Sequence, residues 1–113
     1  MFRMFNEKCF RKRLNSKMSR LIHLQFEVFG KVQGVFFRKY TEKKAKSLKL
    51  KGWIKNTREL TVTGELEGEE ECIEQMKDWL KNQGSPNSRI DKAVFCNEQN
   101  IDKYSFQEFK ILK

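Results

Sequence analysis

The sequence predicts an α+β fold, a β-α-β-β-α-β chain that lays two helices on one face of an antiparallel sheet. Three observations predict it. Apolar and polar residues alternate at 22–28 and again at 60–66, the period of strands with one buried face. The stretches 37–48 and 69–82 instead space their apolar residues three and four apart, the period of a helix. Strand-like segments flank each of those helices, so each helix connects two strands.

The first 20 residues stand apart from this pattern. They hold seven basic side chains against Glu7 alone and show little periodicity. Lys8, Arg11, Lys12 and Arg13 interrupt the apolar core that a secretory signal needs. The expectation is a disordered basic extension, followed by a domain over 21–113. An Arg-rich, acid-poor segment also fits a mitochondrial presequence, and Met18 could serve as an alternative start.

From residue 21 the elements come in order. Ile22, Leu24, Phe26 and Val28 form the buried face of a first strand over 21–29, with His23, Gln25, Glu27 and Phe29 on the other face. His23 is expected to be solvated there. A Gly-containing loop leads into a helix whose inward residues are Phe37, Thr41, Ala45 and Leu48. Lys39, Lys43, Lys44, Lys46 and Lys49 form its wet face. Gly52 turns the chain into a short strand over 53–57. Thr57-Arg58-Glu59 is a turn, and Leu60, Val62, Gly64 and Leu66 face inward from the next strand, which Gly68 closes. The second helix, 69–82, buries Cys72, Ile73, Met76, Trp79 and Leu80. Its first turn is acidic, which complements the helix dipole. Residues 82–86, Asn-Gln-Gly-Ser-Pro, break the chain. Strands over 90–96 and 104–112, joined by a turn at 97–103, complete the sheet and supply a fifth strand or an extended edge.

Bulk properties narrow the function. A chain of 113 residues is one domain. A domain of that size buries roughly two-thirds of its unfolded surface and needs no metal or disulfide to hold it. No apolar run is long enough to span a membrane as a helix. The net charge is +9, but residues 21–113 carry 17 basic and 14 acidic side chains, so the excess sits mainly in the extension. That balance suits an enzyme for small anions better than a nucleic-acid binder. Cys9, Cys72 and Cys96 have no metal-like spacing, and His23 is the sole histidine. Zinc is therefore not expected, and an odd number of cysteines argues for free thiols in a reducing compartment.

The chemistry-bearing segment is Gly30-Lys31-Val32-Gln33-Gly34-Val35-Phe36, followed by Phe37 and Arg38. A strand runs through a tight loop into a helix, a junction that leaves backbone N–H groups unpaired and suits a phosphate. Arg38 adds a planar fork of donors able to engage two phosphate oxygens. The nucleotide-binding Lys-Ser/Thr ending and the third glycine of a dinucleotide fingerprint are both missing. Taken alone, this loop reads first as a Gly-containing turn that happens to be basic. Asn56, at the end of the strand 53–57, can hold a water through one acceptor and two donors, but cannot act as a base near neutral pH. It also reads as a turn cap before Thr57. An anion cradle, an Arg and a water holder, with no strong acid or base, restrict the chemistry. A phosphate ester usually needs help with its leaving group, whereas an acyl phosphate releases a carboxylate whose acid has a pKa near ~4. Its hydrolysis needs positioning and charge stabilisation more than proton transfer.

At these residues the chain resembles the acylphosphatase family, in particular its animal common-type and muscle-type members. GKVQGVFFR followed by GWIKNT looks like the family's signature pair, and the likeness continues through TVTGELEG and GSPNSRID over residues 21–113. The resemblance implies a ferredoxin-like βαββαβ sandwich and a metal-independent, cofactor-free hydrolase of the carboxyl-phosphate bond. It implies that the backbone of Gly30, Lys31, Val32, Gln33, Gly34, Val35 and Phe36 binds the phosphate, that Arg38 clamps it, and that Asn56 orients the attacking water. It further implies a small-molecule acyl phosphate as the only partner, with no nucleic acid and no membrane span. A cytoplasmic monomer is expected, or a mitochondrial protein if residues 1–20 are a presequence. The basic extension departs from the compact family pattern. The alternative from another class is a basic ferredoxin-like RNA-binding module. It would require an aromatic platform on the open sheet face, where the sequence places only Phe29.

Overall fold

The computed structural model describes residues 20–113. Its elements are β1 (Leu21–Lys31), α1 (Phe37–Ser47), β2 (Lys51–Asn56), β3 (Val62–Glu69), α2 (Glu70–Asn82), β4 (Arg89–Ile101) and β5 (Phe109–Ile111). The predicted extension and the alternative start at Met18 lie outside the described residues, except for Arg20. Its guanidinium pairs with Glu70 at 2.8 Å and its carbonyl accepts the Glu70 amide at 2.9 Å.

One sheet of order β4-β1-β3-β2-β5 carries both helices on one face. Helix α1 packs on β2 and β5, and α2 on β1, β3 and β4. The periodicities explain the layering. Ile22, Leu24, Phe26 and Val28 are buried from β1; Phe37, Thr41, Ala45 and Leu48 from α1 and its end; Cys72, Ile73, Met76, Trp79 and Leu80 from α2. Each large apolar side chain so buried contributes about 1.5–3 kcal/mol. Phe37 meets Trp79 with ring centroids 5.7 Å apart, joining the two helices above the sheet. Thr41 is tolerated in this core because its hydroxyl donates to the Phe37 carbonyl at 2.8 Å.

Several expectations are corrected. The sheet is mixed, because β5 runs parallel to β2 while the other pairs are antiparallel. The last strand is only Phe109–Ile111, and the predicted turn at 97–103 is largely strand, since β4 continues to Ile101. What looked like a turn signal at Asn97 is a bulge. Asn97 takes φ 54, and the register with β1 shifts between His23 and Gln25. Asn tolerates that conformation, and a bulge absorbs one extra residue without ending the strand. Leu60 is not an inward strand residue. It has φ 70 and is 68% exposed in the β2–β3 turn. His23 lies on the predicted face but is held between Glu65 and Glu67 rather than solvated. Cys96 is free and exposed, and Cys72 lies buried in the core.

Candidate active site

The site forms where β1, β2 and β5 meet the N-terminus of α1. The loop after β1 is fixed by its apolar residues. Val32 and Val35 turn their side chains into the core, leaving Gly34 and Phe36 outward. Gly34 has φ 74, where a side chain would be strained although no atom lies within 4 Å of a Cβ built there. Phe36 precedes the helix at φ 59, ψ 23 and is 75% exposed. A non-glycine residue in this region costs of order 1–3 kcal/mol and is found mainly where surrounding structure and function demand it.

Two neighbours hold the loop in place. Gln33 Nε2 donates to the carbonyls of Thr57 at 3.0 Å and Thr61 at 2.8 Å, tying the loop to the β2–β3 turn. Buried Ser85, after α2, donates to the Val35 carbonyl at 2.8 Å. The turn is braced in its own right. Thr57 and Thr61 share a hydroxyl hydrogen bond of 2.6 Å, and the Thr61 hydroxyl donates to Glu27 at 2.6 Å.

The N-terminal end of α1 is bare. It has no side-chain cap and no acidic residue in its first turn. Its first backbone bond is from the Tyr40 amide to the Phe36 carbonyl at 3.0 Å. Among the described residues, no turn or cap hydrogen bond is donated by the amides of Val32 to Phe36. Unpaired amides and the positive end of the helix dipole favour an anion at this point. By contrast, α2 carries Glu70 and Glu71 in its first turn.

These elements enclose a cavity of about 410 Å³. The loop and first helical turn contribute Val32, Gly34, Phe36 and Phe37, followed by Arg38 and Lys39. Strand β2 contributes Asn56, and β5 contributes Ile111. Arg38 is half-buried and pairs with no carboxylate among the described residues. The Asn56 Oδ1 is buried and accepts no hydrogen bond among the described residues. Among the described residues, no Asp, Glu or His lines the cavity.

Arg38 and Asn56, 18 positions apart in sequence, thus face one space. Of the seven loop residues singled out from the sequence, Val32, Gly34 and Phe36 line it. Gly30 and Lys31 belong to β1, paired with Ile90 and Arg89, and the side chains of Gln33 and Val35 point elsewhere. Phe37, Lys39 and Ile111 were not anticipated. Lys39 read as one more lysine of a wet helix face, and nothing near Ile111 in sequence announces that β5 docks beside β2.

The fold is a ferredoxin-like α+β sandwich, with a cavity lined by Arg38 and Lys39 at the strand-to-helix junction. The sequence model of the Acylphosphatase family matches residues 24–111. Acylphosphatase-2 of Mus musculus is 50% identical over 100 residues, 88% of this chain and 94% of that protein. Acylphosphatase-1 of Homo sapiens is 50% identical over 93 residues, 82% of this chain and 94% of that protein. The crystal structure of acylphosphatase from Bacillus subtilis superposes with a TM-score of 0.75 at 30% identity, covering 81% of this chain and 99% of that one. The chain belongs to the acylphosphatase family and is an enzyme of that family.

Proposed function

We propose that this chain hydrolyses the carboxyl-phosphate bond of a small acyl phosphate without metal, with Arg38 and the 30–36 loop holding the phosphoryl group and Asn56 placing the water. The observation that carries this reading is Asn56 Oδ1, a buried acceptor with no donor among the described residues, in the same cavity as Arg38, which pairs with no carboxylate among them. Leaving a buried acceptor unpaired costs about 1–3 kcal/mol, so a water is its natural partner.

The phosphoryl oxygens accept from loop amides and from the Arg38 fork, which spreads charge over two oxygens as it grows in the transition state. Asn56 Oδ1 accepts a hydrogen bond from the water and so turns a lone pair of the water oxygen to phosphorus. The new bond joins water oxygen to phosphorus, and the bond from phosphorus to the acyl oxygen breaks. The electron pair leaves on the carboxylate, and the water's proton passes to a phosphate oxygen. No side chain has to take or give a proton, which suits a cavity lined without Asp, Glu or His.

The test is turnover of a simple acyl phosphate in the presence of chelator. The wild type turns it over, and Arg38→Ala lowers kcat/KM by 10²-fold or more, about 2.7 kcal/mol or above. Wild-type turnover that stops in chelator and returns with a divalent metal would defeat the metal-independent mechanism.

A further inference from the structure

The open face of the sheet holds a charged cluster that the reaction does not use. His23 on β1 places Nδ1 2.8 Å from Glu67 Oε2 and Nε2 3.1 Å from Glu65 Oε1, both carboxylates on β3. Glu67 is 0% exposed although it points away from the helices. The residues joining β4 to β5 meet it. The Ser105 amide donates to Glu67 Oε1 at 2.7 Å and the Phe106 amide to the same oxygen at 3.3 Å. Phe106 stacks on the His23 ring at 6.3 Å and 17°. Lys51, opposite Glu67 on β2, sits 4.2 Å over the Tyr104 ring. A carboxylate leaves water only where hydrogen bonds replace hydration, so Glu67 and the segment that covers it depend on each other.

Strand β5 comes directly after that segment and is three residues long. Phe109 anchors it in the core, and its flanks are tied on both sides. Downstream, the Leu112 amide donates to the Ile54 carbonyl at 2.8 Å. Upstream, the Glu108 carbonyl accepts from the Gly52 amide at 3.1 Å, and beyond it stands the grip of Glu67 on residues 105 and 106. The strand delivers Ile111 to the cavity that holds Arg38 and Asn56.

We propose that Glu67, together with His23, is a positioning residue: it seats the 102–108 segment, which sets β5 against β2 and fixes Ile111 as an apolar wall for the acyl part of the substrate. This role rests on the chain being an acyl phosphate hydrolase. The phosphoryl subsite lies on the loop and α1, which the grip of Glu67 on residues 105 and 106 does not touch. The acyl group projects beyond it, toward the side of the cavity that β5 supplies.

The full chain tests this through the kinetics of an aroyl phosphate, competitive inhibition by inorganic phosphate, and hydrogen exchange of the Leu112 amide. In Glu67→Val, KM rises three- to tenfold, kcat stays within twofold, the phosphate inhibition constant is unchanged, and Leu112 exchanges at least tenfold faster. Glu67→Gln keeps an oxygen that accepts from Ser105 and Phe106, and holds KM within twofold of wild type. Ser105→Pro removes the main donor without touching β3, repeats the Glu67→Val pattern, and carries the test if Glu67→Val does not fold. Unchanged KM and Leu112 exchange in a folded Ser105→Pro chain would overturn the proposal. So would a phosphate inhibition constant that rises in step with KM, since the whole site would then have loosened. A wild type that turns over no acyl phosphate removes the hydrolase reading and the acyl-wall role with it, while Leu112 exchange still decides whether Glu67 seats β5.

Discussion

Asn56 combines two properties that rarely coexist in a side chain kept only for stability. Its Oδ1 is buried, and no donor among the described residues reaches it. Truncation therefore removes an unsatisfied acceptor instead of breaking a bond, and thermal stability should stay level or rise slightly. Asn56→Ala is expected to lower kcat by about 10²–10³ while inhibition by inorganic phosphate changes less than threefold. Phosphate affinity falling as far as kcat would make Asn56 a phosphate ligand and not a water holder. Arg38 should behave differently. An ammonium is a point charge that cannot span two oxygens, so Arg38→Lys should fail nearly as badly as Arg38→Ala, with phosphate inhibition weakened in both. Both residues were legible in the sequence because each sits at the end of a strong local signal, a strand-loop-helix junction for Arg38 and a strand end for Asn56. Their meeting in one cavity was not local, and only the sheet order places β2 near the loop after β1.

The link between the loop and the β2–β3 turn has energetic consequences beyond either element. Gln33 lies in a segment read for its backbone, yet its side chain makes two hydrogen bonds to the turn just past Asn56. Sequence offers no sign of this, because the partners are carbonyls of Thr57 and Thr61, groups that every residue has. Gln33→Leu leaves those carbonyls without that donor and frees the loop to move against Asn56. The expected loss is about 1–2 kcal/mol of unfolding free energy for two neutral hydrogen bonds. We expect kcat/KM to fall about tenfold, roughly 1.4 kcal/mol, because cradle and water holder no longer share one frame. Denaturant unfolding and steady-state kinetics on the same preparation would check both. A stability loss with kinetics untouched would show that the loop keeps its shape through Val32, Val35 and Ser85 alone.

Over the whole molecule, the parts legible in the sequence were those set by a repeating pattern. Alternation in β1 and the helical spacing of α1 and α2 named the buried residues, since burial selects one face of each element. The parts missed were those set by contacts distant in sequence. The parallel seating of β5, the bulge at Asn97 and the enclosure of His23 all depend on which strand lies alongside. The same enclosure makes the molecule sensitive to acid. Burial alone would raise the Glu67 carboxyl pKa, but hydrogen bonds from His23 and from the Ser105 and Phe106 amides outweigh it and hold the group below the usual carboxylate range. A carboxyl depressed on folding contributes stability that is present above its unfolded pKa, about 4.3 for Glu. That contribution fades as pH falls through the lower folded value. Urea unfolding from pH 7 to pH 3 should therefore show wild type losing stability through this acid window. Glu67→Gln should start lower at pH 7, by about 1–3 kcal/mol for weakened bonds to a buried group, and decline less on acidification. The two curves should converge toward pH 3. Curves that stay parallel across the range would mean that Glu67 does not hold its proton less tightly in the folded protein than in the unfolded chain.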